Sequence, residues 1–176
     1  MKPNSISLES VLGEPLRLES ELSFSVAAID REPLLALSPL RLSGEISRIE
    51  GGYALAARLT YDGQLECSRC LAAYPFREDE EFSLVLYPRQ RRQPGADVEL
   101  ERGDLDSQYF DQPVIELLPI AQERVQMALP MKPLCRPDCR GLCPACGNDL
   151  NLGSCACARD TVDPRWEALR ALKEKV

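Results

Sequence analysis

The residues in this sequence with the chemistry of a site are its eight cysteines. Cys135, Cys139, Cys143, Cys146, Cys155 and Cys157 fall in one short stretch, and Cys67 and Cys70 stand upstream in Cys67–Ser68–Arg69–Cys70. Thiols so spaced form disulfides, run redox chemistry or bind metal. Cys143–Pro144–Ala145–Cys146–Gly147 has the form of a zinc knuckle. Two residues between thiolates let the backbone turn until both sulfurs face one ion, and Gly147 relaxes that turn. Zinc takes four ligands in a tetrahedron, at about 2.3 Å for sulfur, so each pair needs a second pair. Several pairings are open. The preferred one joins Cys143 and Cys146 with Cys155 and Cys157 in a local loop, and Cys67 and Cys70 with Cys135 and Cys139, stapling the tail to the front of the chain. A single zinc with spare thiols is also open. Four thiolates close the coordination sphere, so the expected cofactor is one or two structural Zn2+ ions.

The rest of the sequence excludes more than it offers. It contains no histidine, which removes Cys–His and Ser–His nucleophiles and mixed Cys/His zinc sites. Asp104, Asp106, Asp111 and Glu116 are scattered acids, read as solvated. No glycine-rich loop cradles a phosphate. No catalytic residue is expected, and the chain reads as non-enzymatic, without a small-molecule substrate. A thioredoxin-like role for Cys67 and Cys70 needs a CxxC that opens a helix in a βαβ unit, whereas Leu71–Phe76 leads into a strand. A zinc–thiolate redox sensor, in which oxidation ejects the metal, is the alternative function, with a generic protein-interaction module beside it.

The formal charge is −7. Residues 1–130 hold 13 Lys/Arg against 22 Asp/Glu, and residues 131–176 hold 8 against 6. An acidic chain is a poor general binder of nucleic acid. Its front suits a basic partner, and contact with RNA would need a local basic patch, sought in the less acidic tail at Arg136, Arg140, Arg159 and Arg165. Arg89, Arg91 and Arg92 beside Tyr87 read as a solvated loop tip. The first residues hold no apolar run of signal-peptide length, and no segment approaches the ~18 apolar residues of a membrane span. The expected location is therefore the cytoplasm, without membrane contact, where thiols stay reduced and disulfides are disfavoured.

The elements that must position the cysteines follow from periodicity. Leu16–Ala27 alternates as a strand, and Arg31–Pro39 reads as a connection. Leu40, Leu42 and Ile46, a Gly51–Gly52 turn, then Tyr53 to Tyr61 make a hairpin. Asp62–Gly63 reads as a second turn and Phe76–Tyr87 as a further strand. Val114, Leu117, Leu118, Ala121, Val125 and Ala128 share a helical face. There Pro119 demands either a kink or a helix starting near Ile115. Asp163 and Pro164 open a terminal helix with Trp166, Leu169 and Leu172 as its stripe. The fold class is α+β: an antiparallel β-meander or small barrel-like sheet, a packed helix, and a Cys-rich zinc-binding tail ending in a short helix. The expected divisions are 1–87 for the β domain, 88–112 for a charged linker, 113–130 for the helix, and 131–176 for the zinc module with its terminal helix.

Taken in order, Cys67–Phe76, a strand ending Leu86–Tyr87–Pro88, Ala128–Cys135, Asp138–Asn151, a CxC at Cys155–Cys157 and Asp163–Leu172 resemble the bacterial YceD family, from about residue 20 onward. The resemblance implies a small cytoplasmic protein concerned with accumulation of large-subunit ribosomal RNA, encoded beside a ribosomal protein gene. It thus implies a role in large-subunit biogenesis, with ribosomal RNA or a basic large-subunit ribosomal protein as partner. The family's cysteines map onto Cys67, Cys70, Cys139, Cys143, Cys146, Cys155 and Cys157, with Cys135 also fitting. Some members lack part of this set.

Overall fold

The computed structural model describes residues 4–11, 13–29, 33–89 and 107–157. Its chain order is β1 (Ser5–Ser7), β2 (Leu16–Leu22), β3 (Leu34–Leu37), β4 (Leu40–Ile49), β5 (Gly52–Glu66), β6 (Ala73–Pro88), β7 (Ser107–Phe110), β8 (Val114–Glu116) and α1 (Leu117–Ala128). Among the described residues the fold is mostly sheet with one α-helix, followed by the Cys-rich region. The strands β2-β4-β5-β6-β7 form one sheet, with β3 also paired to β5, while β1 and β8 form a separate pair. All of these pairings are antiparallel except β6 with β7. The ladders among the described residues run as an open path from β2 to β7 and do not close it into a barrel.

The alternation in the sequence drives the sheet. Leu40, Leu42 and Ile46 of β4, Leu55, Leu59 and Leu65 of β5, and Leu84 and Leu86 of β6 point into one core, because successive strand residues face opposite sides. Each fully buried leucine contributes about 1.5–3 kcal/mol by leaving water. In the middle row, Gly44 and Ala57 oppose each other and Ala57 opposes Phe82. A Cβ at Gly44 would overlap the Ala56 carbonyl, so the close approach of β4 to β5 requires glycine there.

Several expected boundaries move. The first strand stops at Leu22, and Val26–Ala28 form a 3-10 turn that Ser25 caps through the Ala27 N–H. The segment taken as a connection contains β3, which bulges against β5 between Leu34 and Ala36. The hairpin turn is Glu50–Gly51, since Ile49 pairs with Gly52, and Gly51 takes a positive φ of 75°. Asp62–Gly63 is no turn. It lies inside the 15-residue β5, and Gly63 is small because the Phe76 ring occupies the space a Cβ would fill. Val114 belongs to β8 and is exposed, so the helical face begins later than expected.

α1 starts at Leu117, which puts Pro119 in the first turn, where its missing N–H interrupts no helical bond. Leu117, Ile120, Ala121 and Val125 enter the core beneath the sheet. Arg124 fixes the helix to β6, with its guanidinium 4.7 Å from the Phe82 ring centre and 3.5 Å from the Glu80 carboxylate. No helix among the described residues is long and apolar enough to cross a membrane. The terminal helix expected from Asp163 lies outside the described residues.

Candidate metal centre

The structure gathers the eight cysteines into two quartets. Cys67, Cys70, Cys135 and Cys139 form one, and Cys143, Cys146, Cys155 and Cys157 the other; within each, the sulfurs lie within 4.8 Å of one another. This is the grouping preferred from spacing. None of the eight, all among the described residues, is in a disulfide. In the first quartet Cys67 Sγ lies 3.8 Å from Cys139 Sγ, and Cys70 Sγ lies 3.7 Å from Cys135 Sγ. A tetrahedron with metal–sulfur bonds of ~2.3 Å has edges of about 3.8 Å. The donor set thus fits a tetrahedral thiophilic ion in size, number and softness.

Both quartets are built on the same backbone figure. In the connection from β5 to β6, the Cys67 N–H donates to the Ala72 carbonyl at 3.0 Å and the Leu71 N–H donates to the Cys67 carbonyl at 2.9 Å. In the tail, the Cys143 N–H donates to the Asn148 carbonyl at 2.8 Å and the Gly147 N–H to the Cys143 carbonyl at 2.8 Å. The residue after the second cysteine must take a positive φ in each case: Leu71 at 58° and Gly147 at 75°. Gly147 was legible as a turn residue. Leu71 was not, because a leucine gives no signal for a conformation that costs it about 1–2 kcal/mol.

The other half of the first quartet comes from the segment after α1. Pro130 and Pro133 prevent the helix from continuing, and the Pro133 carbonyl accepts the Ser68 N–H at 2.9 Å. Arg69 ties the pieces together. Its guanidinium donates to the Cys139 carbonyl at 2.7 Å, and its carbonyl accepts the Leu142 N–H at 3.1 Å. Leu142 also bridges to Asp149, closing the loop that carries Cys143 and Cys146.

The electrostatics of the thiols are those of groups that a cation would stabilise. Burial opposes the Cys67 thiolate, but backbone hydrogen bonds from Cys135, Cys70 and Arg69 outweigh it and hold this thiol down at about 6. Backbone hydrogen bonds from Cys146 and Ala145, with the Cys155 thiol, likewise hold Cys143 at about 6. Burial and the sulfurs of Cys139, Cys67 and Cys70 push Cys135 up to about 12. The Cys146 sulfur and burial push Cys157 up to about 12. Each quartet therefore combines a favoured thiolate with a thiol kept protonated by crowding near neutral pH, and a positive ion at the centre would let both deprotonate there.

Of the other residues singled out in the sequence, Arg136 and Arg140 stand at the first quartet. Arg136 is beside the first quartet, held by Asn151 Oδ1 at 2.8 Å and Asp138 at 3.6 Å, and Arg140 is exposed next to Cys139. Arg89 pairs with Asp111 at 2.7 Å. Glu116 ends β8. Arg91, Arg92, Asp104, Asp106, Arg159 and Arg165 lie outside the described residues. Sequence reasoning missed Arg69 and Asn151, because both act through contacts that only the fold creates.

Residues 55–173 match the profile of YceD, described as large ribosomal RNA subunit accumulation protein. The chain is 31% identical over 165 residues to uncharacterized proteins of Mycobacterium tuberculosis and Mycobacterium bovis, covering 92% of this chain and 71% of those relatives. It is 26% identical over 133 residues to one of Mycobacterium leprae, covering 75% of this chain and 58% of that relative. No solved structure gives a significant match. A family profile spanning both quartets, with relatives that align along nearly the whole chain, places this protein in the YceD family of large ribosomal RNA subunit accumulation proteins.

Proposed function

We propose that this chain is a non-enzymatic, cytoplasmic factor in biogenesis of the large ribosomal subunit, and that it works as a binding scaffold held in shape by two structural zinc ions. Cys67, Cys70, Cys135 and Cys139 hold one ion, and Cys143, Cys146, Cys155 and Cys157 the other. The observation that carries the zinc reading is the pair of all-thiol quartets, each within tetrahedral reach of one centre. Four sulfurs leave no position for a reacting water, so the ion supplies rigidity and not chemistry. The family description carries the ribosomal reading. The partner is ribosomal RNA or a basic large-subunit ribosomal protein, and the net charge of −7 favours the protein.

A sucrose-gradient ribosome profile of cells lacking the gene tests this. A deficit of large subunits, restored by the intact copy and not by a Cys143→Ser, Cys146→Ser copy, is the expected result. A normal profile would remove the ribosomal role. A deficit restored equally by both copies would detach that role from the second quartet.

A further inference from the structure

Asn151 belongs to the loop between Cys146 and Cys155, inside the second quartet, yet its side chain works on the first. Its Nδ2 donates to the Cys139 sulfur at 3.4 Å and to Asp149 Oδ1 at 2.7 Å. Its Oδ1 accepts from Arg136 Nη2 at 2.8 Å and from the Arg140 N–H at 2.8 Å. An asparagine amide has two donor hydrogens and two acceptor sites, so every one is used. The Asn151 N–H also donates to Asp149 Oδ1 at 2.8 Å. The residue is fixed by the second loop and aimed at a ligand of the first. A second path runs alongside, from Arg69 in the first knuckle through Leu142, the neighbour of Cys143, to Gly141 and Leu150.

We propose that Asn151 is a positioning residue that couples the two quartets, so that a metal ion in the second raises the affinity of the first. The inference rests on the metal reading above. The second ion clamps the loop from Cys143 to Cys157 and thereby holds the Asn151 amide against Cys139. An N–H aimed at a metal-bound thiolate stabilises its charge and orients it, and such outer contacts are worth about 10–100-fold in metal affinity. Coupling is reciprocal, so the first ion strengthens the second by the same factor.

The test uses the full chain and Zn2+ alone. At one equivalent of zinc per chain, native mass spectrometry should show the zinc-free and two-zinc forms together exceeding the one-zinc form. Independent sites would leave the one-zinc form at half the population or more. Sites of very unequal affinity would do so even when coupled, so that result passes the decision to the affinity of the first quartet measured without the second. Chelator competition then measures the first quartet alone in Cys143→Ser, Cys146→Ser, where its affinity should fall about tenfold or more. Asn151→Asp keeps the acceptors for Arg136 and Arg140 but removes the N–H donor. It should weaken the first quartet in the intact chain and shift its Co2+–thiolate charge-transfer band, and should have no further effect in the double-serine background. First-quartet affinity unchanged within twofold in both variants would overturn the coupling, while leaving zinc binding intact. A chain that takes up no zinc would remove the metal reading, and the coupling with it.

Discussion

The two quartets have the same four thiols and the same knuckle, but they stand in different relations to the fold. The first joins residues 65 and 72 positions apart and sits against the sheet, with Cys67 fully buried and Cys139 nearly so. The second closes a loop of about 14 positions, and Cys146 in it is exposed. Closing the longer loop removes only about 1.4 kcal/mol more chain entropy than closing the shorter one. The larger difference is in what each closure holds. The first fixes the segment after α1 to the β5–β6 connection, whereas the second closes its own loop and reaches the rest of the fold mainly through Asn151. Identical chemistry thus gives one site that is part of the tertiary structure and one that is a local module.

The strongest way to break this comparison is to remove one ligand from each. Cys139→Ser should lower global stability by about 3 kcal/mol or more, a large share of the 5–15 kcal/mol typical of a domain. Cys146→Ser should cost less than about 2 kcal/mol, with the loss largest at residues 142–157 and a smaller one at the first quartet, which Asn151 touches. Thermal unfolding followed by circular dichroism, with amide exchange to localise the change, separates the two. Equal losses would mean that the second quartet is as integral as the first.

A pH series on the chelated protein sharpens it next. Cys67 and Cys143 are held at about 6 against an ordinary thiol value of 9.0. Between those values the unfolded chain binds more protons, so stability should rise as pH rises from about 6 to about 9. Above about 9 the sign reverses, because Cys135 and Cys157 keep their protons up to about 12 in the folded state and lose them earlier in the unfolded one. Urea midpoints should therefore peak near pH 9. Midpoints that stay flat from 6 to 9 would show that neither quartet is preformed without metal. Cys67→Ser and Cys143→Ser, measured separately, assign the slope to one site or the other.

Smaller effects are expected at the two knuckle turns. Gly147→Ala should destabilise by about 1 kcal/mol, because alanine resists the positive φ that glycine adopts freely. Leu71→Gly should do the reverse and stabilise by up to about 1 kcal/mol, relief of the left-handed strain exceeding the added entropy of the unfolded chain. The Leu71 side chain is 57% exposed, so little packing is lost with it. Destabilisation by Leu71→Gly would show that this side chain matters to the fold in a way its exposure does not suggest. The smallest effect belongs to the sheet away from both sites. The Tyr61 hydroxyl is buried without a hydrogen-bond partner among the described residues. Tyr61→Phe should therefore be neutral or stabilising by about 1 kcal/mol in chemical denaturation, since it removes a desolvated polar group.

How far the sequence could be read divides along the same line. Leu40, Leu42, Ile46, Leu55 and Leu59 announced their strands because alternation is a local pattern, and the cysteine spacing announced the knuckles for the same reason. β3 was lost because Pro33 and Pro39 mark a connection, and only pairing with β5 makes the residues between them a strand. Gly63 was misread because a glycine required by a neighbour's ring looks, in sequence, like a glycine required by a turn. The parallel pairing of β7 with β6 carries no local mark at all. Pro119 was read correctly as a constraint, and the fold resolved it by starting the helix two residues earlier.

The long separation within the first quartet also sets an order of events as the chain is made. Cys70 leaves the ribosome 65 residues before Cys135. At about 5–20 residues per second, that interval is roughly 3–13 s. During it β4, β5 and β6 can pair as a meander, carrying a half-built knuckle whose two sulfurs wait for their partners. The second quartet needs only its own short loop and follows almost at once. The closure that holds the tail to the sheet therefore comes late in synthesis, and a nascent chain stalled between residues 110 and 135 would present an open pair of thiols on an otherwise paired sheet.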